Sequence, residues 1–221
     1  MESIHSSGKT CLSTLHKEEK DELYESSEIL IFEAGELVVK SGTPVHNLYF
    51  IKSGIVELSL NQDSKKQALN LLFQGDFIGI NCVYSTASYR FSAKALTECT
   101  IEIINRDIFS ELLQRNKDFA MAFIQYISMV NENFLNWHMK LKEKNSAGAL
   151  AFLIGEFEKS LNQKAFEIPL TRQDMARIIG FSKESVLKNL AEFRKDGIIE
   201  SSGKQITILD SKRLKDIAQH G

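Results

Sequence analysis

An α+β fold is predicted for this chain of 221 residues, on three observations. From about Ile29 to Ile104, short apolar–polar alternations are broken by Gly, Asn, Asp and Ser, the pattern of many short strands in a β-roll, a jelly-roll-like barrel. From about Arg106 to Glu143, apolar residues recur every three or four positions, the period of a long helix. From Ser146 onward, several short helices lead into a hairpin.

Hydrophobic residues make up 43% of the chain and charged residues 25%. Both are ordinary for globular proteins and exclude collagen-like, disordered and disulfide-scaffold classes. No segment approaches the ~18–20 apolar residues of a membrane span, so no membrane partner is expected. Met1 to Thr10 has no hydrophobic core of a secretory signal. A cytoplasmic protein is expected. Cys11, Cys82 and Cys99 are too few and too scattered for a disulfide framework, and they cannot supply four thiolates to an iron–sulfur cluster. Buried thiols and a redox role both remain open for them. Through Lys144 there are 15 basic and 19 acidic residues, and from Asn145 onward 12 and 10. The C-terminal third is therefore the side expected to meet a polyanion.

Residues 15–26 are charged and predict a short entry helix. In the strand region Val56, Leu58 and Leu60 alternate with Glu57 and Ser59, the period of a half-buried strand. Glycines at 35, 42, 54, 75 and 79 mark its turns. In the long helical region Phe123, Ile127, Val130, Phe134, Trp137 and Leu141 fall at alternating spacings of four and three, a coiled-coil seam. Such a stripe can lie against its own β-roll or against a second copy of the chain. Left uncovered it would invite aggregation, which favours the copy. Asn145 and Ser146 can cap a new helix whose apolar face includes Leu150, Leu153, Ile154 and Phe157. A hinge is expected there, dividing the chain into domains 1–144 and 145–221.

The most specific signal lies between Leu170 and Ile208. Thr171 can cap a helix running through Met175, Ile178 and Ile179. Gly180 can end it in a left-handed turn, with Phe181 plugging the corner. Ser182 can cap a second helix, with Glu184 and Ser185 in its first turn and Val186, Leu190 and Phe193 on its buried face. Helix, tight glycine turn and helix form a helix-turn-helix, whose second helix can enter a major groove. Gly197 ends that helix, and Ile198, Ile199, the turn Ser201-Ser202-Gly203-Lys204, Ile206 and Ile208 predict a hairpin. Beside a helix-turn-helix, that hairpin is a wing.

The string from Leu170 to Val186, LTRQDMARIIGFSKESV, resembles the helix-turn-helix signature of the CRP/FNR transcription regulators. Upstream, Leu48-Tyr-Phe-Ile-Lys-Ser-Gly-Ile-Val and Gly75-Asp-Phe-Ile-Gly resemble that family's cyclic-nucleotide-binding-type β-roll. The resemblance covers nearly the whole chain and implies a homodimer. The dimer would read a pseudo-palindromic operator in double-stranded DNA and recruit or block RNA polymerase. By resemblance, Lys183, Glu184 and Lys188 occupy base-reading positions. Glu184 would accept from a cytosine amine and Lys188 would donate to guanine. Leu187 shares their outward face and is open to two roles, a thymine methyl contact or ordinary packing. Thr171, Arg172, Gln173, Ser182, Ser185 and Lys204 would anchor the DNA backbone.

The sensory end departs from the pattern. Cyclic-AMP-binding members of the family hold the ribose with a glutamate after the Gly-Asp-Phe-Ile-Gly turn and the phosphate with an Arg-Ser pair. Here Gly79 is followed by Ile80 and Asn81, and Arg90 and Ser92 are separated by Phe91. Classical cyclic AMP is not expected. Arg90 can serve an anion or be a solvated charge, and the cofactor is left unassigned: another small-molecule effector, haem, or none. The N-terminal cysteine cluster of the oxygen-sensing branch is absent from this sequence. His5, His16, His46 and His138 offer no patterned ligand set, although His138 beside Trp137 could couple protonation to the seam. No metal site, nucleophile elbow, P-loop or clustered His/carboxylate set is present, so no catalytic residues are assigned and an enzyme on a cupin-like barrel is disfavoured. The remaining alternative is a ligand-binding module acting through protein partners.

Overall fold

The computed structural model describes residues 11–62 and 65–221, the side chains of 61–67 excepted. The chain divides into two compact units, 1–133 and 134–221.

The first unit begins with the entry helix, α1 (Lys17–Glu25), capped by His16 and Glu19, whose carboxylate accepts the His16 amide at 2.8 Å. Eight strands follow: β1 (Glu28–Phe32), β2 (Leu37–Val39), β3 (Asn47–Ser53), β4 (Val56–Gln62), β5 (Lys65–Leu72), β6 (Phe77–Ile78), β7 (Ser92–Ala95) and β8 (Cys99–Asn105). They pair antiparallel in two four-stranded sheets, ordered β1-β8-β3-β6 and β2-β7-β4-β5. The register places Val56 opposite Leu72 and Ala95, and Ile51 opposite Ile101. Both sheets contribute to one core. The half-buried strand expected along β4 is not found: Glu57 and Ser59 are each 1% exposed, while Leu58 and Leu60 are only half-buried. β4 lies inside its sheet, with β7 and β5 on either side.

Gly54 makes the β3–β4 turn with φ +98°. A Cβ there would stand 2.5 Å from the Glu98 carbonyl oxygen, so only glycine fits.

The long helical region is two helices, α2 (Arg106–Arg115) and α3 (Lys117–Glu143), broken at Asn116. Asn116 accepts the Phe119 amide at 2.9 Å and donates to Glu19 at 2.7 Å, so it starts α3 and holds it to α1. An aromatic cluster seats both helices on the sheet: Phe109 lies 5.1 Å from Phe123, 5.2 Å from Phe119 and 6.2 Å from Phe77. The buried Tyr126 hydroxyl accepts the Phe77 amide, and burial raises its pKa, keeping the phenol protonated.

The six residues read as one seam do not form one free stripe. Phe123 is 4% exposed within that cluster, and Ile127 and Val130 pack partly on the same core. Trp137 lies 5.0 Å from the Phe152 ring, Phe134 lies 4.3 Å from the His138 ring, and Leu141 is half-buried. Of the six only Phe134 is exposed, at 36%, and the other exposed apolar side chains of α3 are Met121, Ile124, Leu135 and Met139, with Ser128 and Asn131 exposed between them. That stripe follows the same three–four spacing about one residue on, ~100° around the helix.

In the second unit, α4 (Ser146–Leu161) follows a break at Lys144 and Asn145. Asn145 caps it by accepting the Ala147 and Gly148 amides at 2.9 and 3.0 Å. Then come β9 (Ala165–Glu167), α5 (Arg172–Ile179), α6 (Lys183–Lys195), β10 (Ile199–Ser202), β11 (Gln205–Ile208) and α7 (Ser211–His220). The expected hairpin is β10–β11, with Ser202 opposite Gln205. β9 adds a third strand beside β11. Among the described residues, no helix is long and apolar enough to cross a membrane.

Candidate nucleic-acid interface

The helix-turn-helix is built from its caps. Thr171 accepts the Asp174 amide through Oγ1, and Asp174 accepts the Thr171 amide, both at 3.1 Å, a reciprocal capping box. Burial pushes the Asp174 carboxyl upward, but hydrogen bonds from Thr171 and Arg177 outweigh it and hold the group below its ordinary range. Gly180, at φ +78°, turns the chain. Ser182 accepts the Ser185 amide at 3.1 Å and starts α6.

Val186, Leu190 and Phe193 bury one side of α6, as expected, and Asn189 is buried with them. Lys183, Glu184, Leu187 and Lys188 are exposed on the outer side. Leu187 is 48% exposed, which removes the packing alternative for it within this chain. Lys188 holds Glu192 only loosely, at 3.9 Å with both side chains exposed. Such a pair contributes little and is readily exchanged for another partner.

The expected backbone anchors differ in their surroundings. Gln173 is exposed, Thr171 and Ser182 are exposed caps, and Ser185 is half-buried with its hydroxyl 3.1 Å from that of Ser182. Lys204 projects from the two-residue wing turn, while its carbonyl accepts the Ile168 amide at 3.0 Å. Arg172 is already engaged: Nη2 donates to the Gly203 carbonyl at 2.6 Å and Nη1 to Met175 sulfur at 3.3 Å. Burial and the neighbouring Arg194 lower its pKa from the ordinary value. Arg194 was not singled out from the sequence, where it is one basic residue among several at a helix end. It lines a groove with Glu200, Ser202, Gln205 and Leu209 of the wing.

The five residues of the expected effector pocket have separate surroundings. Gly79 is buried, and a Cβ on it would meet the Tyr89 ring at 2.6 Å. Ile80 belongs to the core. Asn81 and Arg90 are exposed. The buried Ser92 hydroxyl accepts the Ser41 amide at 3.1 Å. A cyclic nucleotide needs a carboxylate or amide for its ribose and a cation for its phosphate. The side chain after Gly79 is an apolar core residue, Asn81 and Arg90 are exposed, and Ser92 accepts the Ser41 amide. None of the five supplies a carboxylate for a ribose.

Cys11, Cys82 and Cys99 are buried free thiols. Burial pushes Cys11 up to about 12, and raises Cys99 as well. Among the described residues, no group of three or more His, Cys, Asp or Glu side chains could hold a metal. His16 is a helix cap and His138 Nδ1 lies 3.0 Å from the Phe134 carbonyl. His5 lies outside the described residues.

Residues 29–116 match the cyclic nucleotide-binding domain family and residues 147–217 match the Crp-like helix-turn-helix domain family. The chain is 26% identical to Electron transport regulator A of Shewanella oneidensis, over 96% of this chain and 88% of that protein. It is 24% identical to Transcriptional activator protein FnrL of Cereibacter sphaeroides, over 85% of this chain and 79% of that protein. Among solved structures, FixK2 from Bradyrhizobium japonicum shares the fold, with a TM-score of 0.77 at 19% identity over 86% of this chain and 96% of that one.

Proposed function

The chain belongs to the CRP/FNR family of transcription regulators, and from that premise we propose that it acts in the cytoplasm as a homodimer reading a two-fold-symmetric operator. The observation carrying this is the outer face of α6. Lys183, Glu184, Leu187 and Lys188 stand exposed together on a helix fixed by Ser182 and Gly180, with Lys204 on the adjoining wing. A donor, an acceptor and an apolar group on one groove-sized rod are the chemistry that distinguishes base pairs. Thr171, Arg172, Gln173, Ser182, Ser185 and Lys204 set the register on phosphates, and Arg194 joins them.

The dimer contact we assign to Met121, Ile124, Leu135 and Met139, whose exposure on a long helix supports a two-fold partner helix. The DNA-reading helices start after 144/145, where Asn145 caps a new helix, although the compact units divide at 133/134. RNA polymerase is the partner that a promoter-bound regulator recruits or blocks. The effector stays unassigned, and cyclic AMP is disfavoured by an apolar Ile80 where a carboxylate would hold the ribose and by an exposed Arg90.

Selection of duplexes from a random pool by the purified protein tests this. The expected product is a symmetric sequence with half-sites about one helical turn, ~34 Å, apart. Binding should weaken linearly in log–log with salt. Absence of any enriched duplex, or binding indifferent to salt, rejects DNA reading and leaves a module acting through protein partners.

A further inference from the structure

We propose that Trp137, Phe152, Ser146 and Asn189 form a latch that makes the end of the long helix and the recognition helix one rigid body. It rests on the DNA-reading function above and adds how the reader is aimed. Trp137, expected in the dimer seam, turns inward across the 144/145 break, its ring 5.0 Å from that of Phe152 on α4. Lys140, one turn on, sets its ammonium 5.8 Å from the centre of the same ring. Phe152 is thus held from two positions of α3 although the backbone between them is interrupted.

The same helix, α4, grips the reader. Asn189 is 4% exposed among the apolar residues of α6, and its Nδ2 donates to Ser146 Oγ at 3.0 Å. Apolar packing alone lets a helix slide or roll against its neighbour at small cost. A buried amide loses most of its hydrogen-bond energy if it does so, which fixes the roll of α6 about its own axis. That roll decides whether Glu184, Leu187 and Lys188 face a groove. Ser146 is the first residue of α4, directly after its cap, so the reader is tied to the hinge itself. A rotation of the end of the long helix, from residue 134 on, is then delivered to the base-reading face instead of being lost in the break. Trp137, Phe152 and Asn189 are positioning residues: none of them is on the DNA-facing side.

The test uses the full chain and a duplex that the wild-type protein enriches from a random pool. Trp137→Ala should leave the oligomeric state by light scattering unchanged and weaken the enriched duplex about tenfold, with binding to a scrambled duplex unaltered. Trp137→Phe, which keeps a ring against Phe152, should restore most of that loss. Asn189→Ala should show the same split between enriched and scrambled duplexes. Dissociation of the Trp137→Ala protein would return Trp137 to a subunit interface and overturn the latch. So would full retention of discrimination by both alanine variants. The chain has one tryptophan, so its emission reports the contact without DNA. Phe152→Leu should shift it to the red, and an unshifted spectrum overturns the latch even if the variants above unfold. Failure of the wild type to enrich any duplex, with the red shift present, would count against DNA reading and not against the contact.

Discussion

Arg172 Nη2 donates to the Gly203 carbonyl at 2.6 Å, joining the first residue of the helix-turn-helix to the tip of the wing. Gly203 and Lys204 are the whole of the wing turn, since Ser202 and Gln205 already pair. A charge-assisted bond at that point orients Lys204 relative to α5. Arg172→Met keeps the aliphatic stem and removes the bond. Hydrogen exchange at residues 199–208 should quicken, and stability should fall by about 1.5–3 kcal/mol. Unchanged exchange in the wing would show that β9 and the hairpin hold it without Arg172.

Lys188 and Lys204 should separate by what they lose. Lys188→Ala is expected to cost about 1–3 kcal/mol on the enriched duplex and to relax preference at one position of each half-site. Lys204→Ala should weaken all duplexes alike and reduce the salt slope by about one. Affinities measured over a panel of single-base variants at several salt concentrations distinguish the two. A uniform loss for Lys188→Ala would move it from bases to backbone.

The DNA-binding half was legible because its signals are local. Thr171, Gly180, Ser182 and Gly197 each dictate backbone shape within a few residues, and all four stand where the sequence put them. The face of α3 was not legible, because a second row, apolar at Met121, Ile124, Leu135 and Met139 and polar at Ser128 and Asn131, runs along it at nearly the same spacing. Only tertiary packing decides that Phe123 meets Phe109 while Leu135 meets solvent. β9 is three residues long, too short to show a period, and exists by pairing with β11. Helix α7 was missed although Asp210 caps it and Leu214 and Ile217 lie three apart. The covered side of β4 depends on neighbours far along the chain, as does the engagement of Ser92 by Ser41.

The two stripes of α3 give opposite expectations for similar substitutions. Leu135 is 60% exposed, so Leu135→Asp should leave the fold intact and convert the dimer to monomer, abolishing tight operator binding. Phe123→Ala should instead destabilise the first unit by about 3–5 kcal/mol, the usual cost of removing a buried ring. Sedimentation and thermal melting, run on both variants, read the two effects separately. A stable dimer for Leu135→Asp would place the contact on another surface.

The thiols make a prediction with a definite sign. Burial raises Cys11 to about 12 and Cys99 in the same direction, while an unfolded cysteine titrates near ~8.5. The folded chain therefore keeps protons that the unfolded chain gives up in alkali. The stabilisation is complete below about pH 8 and is lost as pH rises towards 12. Melting temperature should fall through that window, and Cys11→Ala should flatten the fall while lowering the plateau through its lost packing. In the same way, a thiol reagent at neutral pH should react slowly with the folded protein and quickly once it is unfolded, because thiolate is the reactive form. Rapid reaction at Cys11 or Cys99 in the folded chain would show that one of them reaches solvent, and would favour a redox role for it.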